Sequence, residues 1–247
     1  MRRFGLIGFP LSHSFSQRYF TEKFQRENIA GCIYENFPLA DISELASVLQ
    51  QHPDLAGLNV TIPYKEKVIP FLASQDEVVK TTGACNCIKV TDGLLHGYNT
   101  DVAGFEISLE KFLEPFHKKA LVLGTGGAAK AVHYILQKKG IEYTSVSRNP
   151  QGAQSISYAG TKEVLNDHLL VINTTPLGMY PNLDEFPPIA YELLTPRHYL
   201  FDLTYNPPLT TFLKKGQDNG AVVSNGSEML LIQAEESWKI WNTNDHE

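Results

Sequence analysis

Basic residues are scarce in this sequence. Lysine and arginine number 21 against 27 acidic residues, a net charge of −6, and they form no block along the chain. That argues against a nucleic-acid partner, whose phosphates need a cationic face. Cysteine is rarer still: Cys32, Cys85 and Cys87 are the only three. An odd, sparse count argues against a disulfide framework and fits a reducing cytoplasm. No Cys or His pair with metal-site spacing accompanies Cys85 and Cys87, so no metal is expected and all three read as small buried residues. No apolar run approaches the roughly 20 residues that cross a bilayer, so no membrane association is expected. The stretch from Met1 to Gly8 has two arginines but too short an apolar run for a signal peptide, and reads as a first strand.

What is present is ordinary for a globular α/β protein. The 247 residues are 43% hydrophobic and 19% charged, enough for one large or two modest domains. Apolar strand-like runs alternate with helical patterns, which predicts α/β architecture with mostly parallel sheet. The first half reads as a strand at Phe4–Gly8, a helix begun by Ser14 or Ser16 and striped by Phe15, Tyr19, Phe20 and Phe24, then strands at Ile33–Phe37 and Leu55–Val60. Asp41 caps a helix between those two strands. Thr91-Asp92-Gly93 joins Cys85–Val90 to Leu94–His96 as a hairpin. Asp101 opens a helix. The pattern restarts after Glu114-Pro115, with strands at Ala120–Leu123, Tyr143–Val146, Leu169–Asn173, Tyr199–Leu203 and Ala221–Val223, and a last helix from about Glu228. Two α/β lobes follow from this, with the space between them as the expected ligand site.

The stretch Asn59-Val60-Thr61-Ile62-Pro63-Tyr64-Lys65 carries the most chemistry. Pro63 has no N–H to give a neighbouring strand, so the strand stops and Lys65 stands just past its carboxyl end, before a short helical run. Ligands of open α/β sheets bind at that edge. A lysine there can polarise a carbonyl or move a proton. A solvated lysine in the Lys65-Glu66-Lys67 cluster is the plain alternative. Asn86 lies near another strand end. Asp101, in Asn99-Thr100-Asp101, is either a helix cap or a partner that steadies the Lys65 ammonium. Ser14 and Ser16 are either caps or ligands for a carboxylate at a helix N-terminus. Tyr205 and Gln233 read plainly as a packed phenol and a surface amide.

Gly124-Thr125-Gly126-Gly127-Ala128 lies between a strand and a helix. There the glycines permit a tight turn and a close backbone approach to a pyrophosphate, and the helix N-terminus offers free N–H groups. A turn without ligand is the alternative. The next strand ends in Ser147-Arg148-Asn149, where an NAD site would carry an acid for the ribose hydroxyl. Arg148 suits a 2′-phosphate instead, which favours NADP; an exposed arginine in a turn is the bland reading.

Together these pieces resemble the shikimate dehydrogenase family. The likeness rests on Ser14-x-Ser16, Asn59 to Lys65, Asn86, Asn99-Thr100-Asp101, the glycine loop, Asn173-Thr174-Thr175-Pro176-Leu177-Gly178 and Gln233, in the family's order across nearly the whole chain. It implies reversible reduction of 3-dehydroshikimate to shikimate by NADPH, in a cytoplasmic monomer or homodimer. Lys65 and Asp101 would be the catalytic pair. Ser14 and Ser16 would hold the substrate carboxylate, and Thr61, Asn86, Tyr205 and Gln233 would contact or adjoin the ring. The cofactor set would be Gly124, Thr125, Gly126, Gly127, Ala128, Ser147, Arg148, Asn149, Thr174, Leu203 and Gly226. The domains would be residues 1–102 plus 226–247 for the substrate and 103–225, Rossmann-type, for NADP. Two departures stand out: Val102 replaces a usual glycine, and Asn149-Pro150-Gln151 lacks the threonine and second basic residue of many NADP users. Two other readings use the same residues. One is a quinate/shikimate dehydrogenase using NAD, against which Arg148 argues. The other is a non-catalytic metabolite-binding relative, against which the presence of both Lys65 and Asp101 argues.

Overall fold

The structure is a computed structural model that describes residues 1–11 and 15–243. Ser14 therefore lies outside the described residues. The chain forms two compact units, Met1–Thr100 with Ala234–Glu247, and Asp101–Gln233. Among the described residues no helix is long and apolar enough to cross a membrane.

The first unit contains β1 (Arg2–Gly8), α1 (Phe15–Arg26), β2 (Cys32–Pro38), α2 (Leu45–Gln51), β3 (Leu55–Val60), β4 (Ser74–Gln75), α3 (Glu77–Thr82), β5 (Cys87–Thr91) and β6 (Leu94–Tyr98), and reaches the first residue of α4 (Thr100–Glu110). Its sheet runs β2-β1-β3-β5-β6-β4. β1 pairs in parallel with β2 and β3, whereas β5 pairs antiparallel with β3 and β6. Residues 4–8 of β1 are all buried, as a central strand covered on both faces requires. The β5–β6 turn has positive φ at Asp92 (50°) and Gly93 (74°), the geometry that matches the twist of a hairpin.

One face of this sheet is aromatic. Phe4, Phe20, Phe24, Tyr34 and Trp241 form one buried cluster, with Phe4 stacked on Trp241 at 4.8 Å between ring centroids. Each such ring removed from water contributes about 1.5–3 kcal/mol. Gly57 explains how Trp241 gets so close. A Cβ there would collide with the indole, whose Nε1 donates to the Ile88 carbonyl at 2.9 Å. The opposite face packs Leu45, Leu58, Val60, Tyr64, Val68, Val79 and Ile88. The expected helical run after Lys65 is instead a set of turns ending in a 3₁₀ turn at Ile69–Phe71. Pro70 sits at its start and Tyr64 is pinned by its phenol to the Leu39 carbonyl at 2.6 Å, so the segment cannot wind into a longer helix.

The second unit carries the rest of α4, then β7 (Lys119–Leu123), α5 (Gly127–Lys138), β8 (Glu142–Val146), β9 (Ser155–Ile156), α6 (Thr161–Val164), β10 (Leu170–Asn173), β11 (Tyr199–Asp202), α7 (Thr211–Asp218), β12 (Val222–Asn225) and the first half of α8 (Ser227–Asn242). Its six strands run β12-β11-β10-β7-β8-β9 and every neighbouring pair is parallel. That is the doubly wound order, with its switch point between β7 and β10. Helix α7 escaped the sequence reading because Gly216 sits inside it, and glycine ordinarily weakens a helix. Here a Cβ at Gly216 would collide with Leu200 of β11, so the glycine buys close packing onto the sheet. β9, α3 and α6, with two, six and four residues, are too short to show a period.

Candidate active site

In the first unit the polar residues gather where β1 and β3 end. Thr61 N donates to the Ile7 carbonyl at 2.9 Å and Phe9 N to the Ile62 carbonyl at 3.0 Å, so the two strand exits are laced together. Gly8 allows this, because a Cβ there would collide with the Thr61 side chain. Tyr64 N then closes a turn on the Thr61 carbonyl at 2.9 Å. Lys65 follows, half-buried, and its carbonyl accepts from Cys85 N at 2.8 Å.

Asn86, 3% exposed, is the hinge of the cluster. Its Oδ1 accepts from the Thr100 backbone N at 2.7 Å, and its Nδ2 donates to Thr100 Oγ1 at 3.0 Å. The carboxamide thus serves the first turn of α4, where backbone N–H groups lack partners within the helix. Asn99 is held alongside by Nδ2 donating to the Ala84 carbonyl at 2.9 Å. The Thr100 hydroxyl also meets Ser237 Oγ at 3.2 Å, and Asn59 Nδ2 donates to Ser237 Oγ at 2.9 Å. Asn59 Oδ1 accepts from the Tyr34 phenol at 2.8 Å. Ser16, buried at the start of α1, also meets that phenol. Burial pushes the Tyr34 pKa up, so the phenol stays a neutral donor.

This network ties Lys65 to the start of α4. Lys65 is bonded through its backbone to Cys85, Asn86 is next in the chain, and its side chain holds Thr100, the residue before Asp101. Gln233, 7% exposed, precedes Ser237 by four residues on α8, hence by one turn on one face. Its Nε2 donates to the Leu230 carbonyl at 3.0 Å. The sequence reading gave no role to Tyr34, Asn59, Thr100 or Ser237. Asn59 and Thr100 stood inside the quoted motifs, whereas Ser237 lay in an unremarkable helix. Burial pushes the Cys85 thiol up to about 12, which makes it a packing group and no nucleophile.

In the second unit the glycine loop leaves β7 at the switch point. Gly124 has φ +106°, and a Cβ there would come within 2.7 Å of Thr174 Oγ1, so the fold itself demands glycine. Gly126 differs. Its φ is −77°, and among the described residues a Cβ there would meet nothing within 4 Å. Nothing in this structure requires glycine at that position, which is what a close-lying ligand would explain. Gly127 opens the twelve-residue helix α5 without a side-chain cap, and Thr125, Gly126, Gly127 and Ala128 are all exposed. A phosphate fits this arrangement: open space, bare backbone and helix N–H groups that lack partners. Thr174, at the end of β10, bonds back through Oγ1 to the Leu123 carbonyl at 2.8 Å. Ser147 N donates to the Ile156 carbonyl at 3.0 Å, while Arg148 and Asn149 are exposed just past β8. Leu203 and Tyr205 leave β11 half-buried. Gly226 N donates to the Thr204 carbonyl at 3.1 Å, and a Cβ at Gly226 would collide with Leu203.

The expected residues therefore fall into two groups. Ser16, Thr61, Lys65 and Asn86 share the first unit. The glycine loop, Ser147, Arg148, Asn149, Thr174, Leu203, Tyr205 and Gly226 share the second, whose first and last residues are Asp101 and Gln233. Among the described residues no group of three or more His, Cys, Asp or Glu could hold a metal ion.

A glycine turn at the switch point of an all-parallel sheet, in a chain that carries a second α/β unit, defines a Rossmann-type two-domain protein. The comparisons with known proteins narrow this. Residues 6–88 match the shikimate dehydrogenase substrate binding domain. A shikimate dehydrogenase (NADP(+)) of Methanosphaera stadtmanae is 34% identical, across 96% of this chain and 90% of the relative. The crystal structure of shikimate dehydrogenase 1 from Peptoclostridium difficile superposes with a TM-score of 0.85 at 35% identity, covering 100% of this chain and 94% of that one. Quinate dehydrogenase from Corynebacterium glutamicum in complex with NAD superposes with a TM-score of 0.87 at 25% identity, covering 98% of this chain and 93% of that one. The chain belongs to the shikimate dehydrogenase family.

Proposed function

We propose that this protein catalyses the reversible reduction of 3-dehydroshikimate to shikimate with NADPH, within the synthesis of chorismate and the aromatic amino acids. The first unit carries most of the substrate residues and the second carries those for the dinucleotide, with Asp101 and Gln233, its first and last residues, assigned to the substrate. The observation that supports this reading is the tie from the Lys65 backbone through Cys85 and Asn86 to Thr100, the residue before Asp101.

The dinucleotide supplies the hydride. Gly124 to Ala128 hold its pyrophosphate, Arg148 its 2′-phosphate, and Thr174, Leu203 and Gly226 its nicotinamide half. The chain's own chemistry lies at the substrate oxygen. As the carbonyl carbon is reduced, its oxygen gains negative charge. The Lys65 ammonium stabilises that charge by a hydrogen bond and then transfers a proton from Nζ to the oxygen. In the reverse direction the neutral Lys65 amine takes the proton back from the hydroxyl, and Asp101 steadies the ammonium. Thr61, Asn86 and Gln233 orient the ring hydroxyls, and Ser16, with Ser14, holds the carboxylate.

The shared fold of the quinate dehydrogenase makes quinate and NAD the second pair to test. Arg148, with no acid between Ser147 and Gln154, supports NADP. Purified protein given shikimate or quinate, each with NADP or NAD, should raise the near-ultraviolet absorbance of reduced nicotinamide with shikimate and NADP. Turnover of quinate with NAD would move the protein to the quinate/shikimate group. Folded protein inactive with all four pairs would refute the proposal.

A further inference from the structure

Asp202 is fully buried at the last residue of β11, yet it has no place in the chemistry just described. A carboxylate removed from water is costly unless donors surround it. Its partners here are neutral donors from three residues. Oδ1 accepts from Asn173 Nδ2 at 3.1 Å and from Thr204 N at 3.0 Å, and Oδ2 accepts from Thr210 Oγ1 at 2.6 Å. Burial pushes its pKa up, and these hydrogen bonds oppose that rise.

Each donor belongs to a different segment at the carboxyl edge of the sheet. Asn173 passes the connection on, because its Oδ1 accepts from Thr175 N at 3.0 Å and Thr175 Oγ1 at 2.7 Å. Its backbone carbonyl accepts from Leu203 N at 3.0 Å. Thr204 stands between Leu203 and Tyr205 and takes the Gly226 N–H on its carbonyl. Thr210 caps α7. One carboxylate thus gathers the loop of Thr174 and Thr175, the loop of Leu203 to Tyr205, and the first turn of α7. An aliphatic side chain could fill the same volume, but it could not fix three donors.

We propose that Asp202 is a positioning residue that sets where Thr174, Leu203 and Tyr205 stand, and through them the approach of nicotinamide to the substrate carbon. This rests on the cofactor and substrate roles proposed above. Asp202 touches neither ligand and acts only through those loops.

The test compares Thr210→Val, which deletes both the hydrogen bond to Asp202 and the α7 cap at constant shape, with Thr210→Ser, which keeps both, and with Asp202→Asn, which leaves the cap in place. Steady-state constants for shikimate and NADP, the primary deuterium isotope effect on hydride transfer and the melting temperature are read together. A misplacement approaching 1 Å costs up to about 10²-fold, so T210V and D202N should lose roughly tenfold or more in kcat. Their isotope effect should rise while KM for shikimate holds, and T210S should recover kcat. Wild-type kcat and isotope effect in both T210V and D202N would overturn the inference, as would a loss of activity that merely follows the fraction unfolded. A wild-type protein inactive with every substrate and cofactor pair would instead overturn the functional reading, and this inference with it.

Discussion

The two units present their ends of strand in opposite ways. In the first, side chains do the work. Tyr34, Asn59, Ser237, Thr100 and Asn86 form a buried chain of hydrogen bonds. In the second, the absence of side chains does it. The loop from Gly124 to Ala128 offers bare backbone and an uncapped helix N-terminus. Under the proposed roles, the difference follows from what each has to hold. A ring with several hydroxyls must be distinguished by directed donors and acceptors, whose loss leaves buried partners stranded at about 1–3 kcal/mol each. A pyrophosphate needs proximity and a positive dipole, and any Cβ is an obstacle. Substitutions should therefore act by chemistry in the first unit and by shape in the second.

Lys65→Ala breaks the comparison most severely if it is wrong. The variant loses the proton donor, so kcat should fall by about 10³-fold, within the range of general acid–base catalysis. NADPH affinity, measured by fluorescence titration, should stay within about twofold, because the cofactor is held elsewhere. Lys65→Arg should not recover the loss, since a guanidinium keeps its proton at any working pH. Turnover near that of the wild type in Lys65→Ala would end the catalytic assignment.

The glycine loop gives a sharper contrast within the second unit. Gly124→Val forces a β-branched residue into φ +106° against Thr174, so it should lower stability by about 1–3 kcal/mol. Gly126→Val meets ordinary φ and open space, and should cost under about 1 kcal/mol in a denaturant melt. Its NADPH affinity should nevertheless fall by roughly 30-fold or more, because the added methyls occupy the phosphate's place. A stable Gly126→Val protein with unchanged NADPH affinity would remove the argument that this glycine exists for a ligand.

How much of this the chain announced depends on the kind of signal. The strand Leu55–Val60 and the hairpin turn at Asp92-Gly93 stand where the local pattern puts them, because a proline and a pair of left-handed residues act on their own neighbours. The doubly wound half was legible from strand, glycine turn and helix in succession. Elements with few residues were not: α3, α6 and β9 carry no period, and α7 hides behind Gly216. The polar network was illegible for a different reason. Asn59 and Ser237 are 178 residues apart, and neither neighbourhood hints at the other. Asp202 left a faint trace, an acid closing the apolar run of Tyr199 to Phe201, which is a costly place for a charge unless donors wait there.

Arg148 is the exception that sharpens the comparison, since it is the one charged side chain assigned to the dinucleotide. It is exposed at the end of β8, so solvent and salt screen whatever it holds. Its effect should accordingly be the smallest of the three. Arg148→Ser should raise KM for NADP by about tenfold, as one charge-assisted hydrogen bond predicts, and leave KM for NAD nearly unchanged. Salt supplies a second readout. In the wild type the preference for NADP over NAD should shrink as ionic strength rises, whereas in Arg148→Ser it should already be small and stay flat. A preference for NADP that survives the substitution would mean that backbone and hydroxyl groups near Ser147 recognise the 2′-phosphate, and the second unit would then read its ligand without any charged side chain.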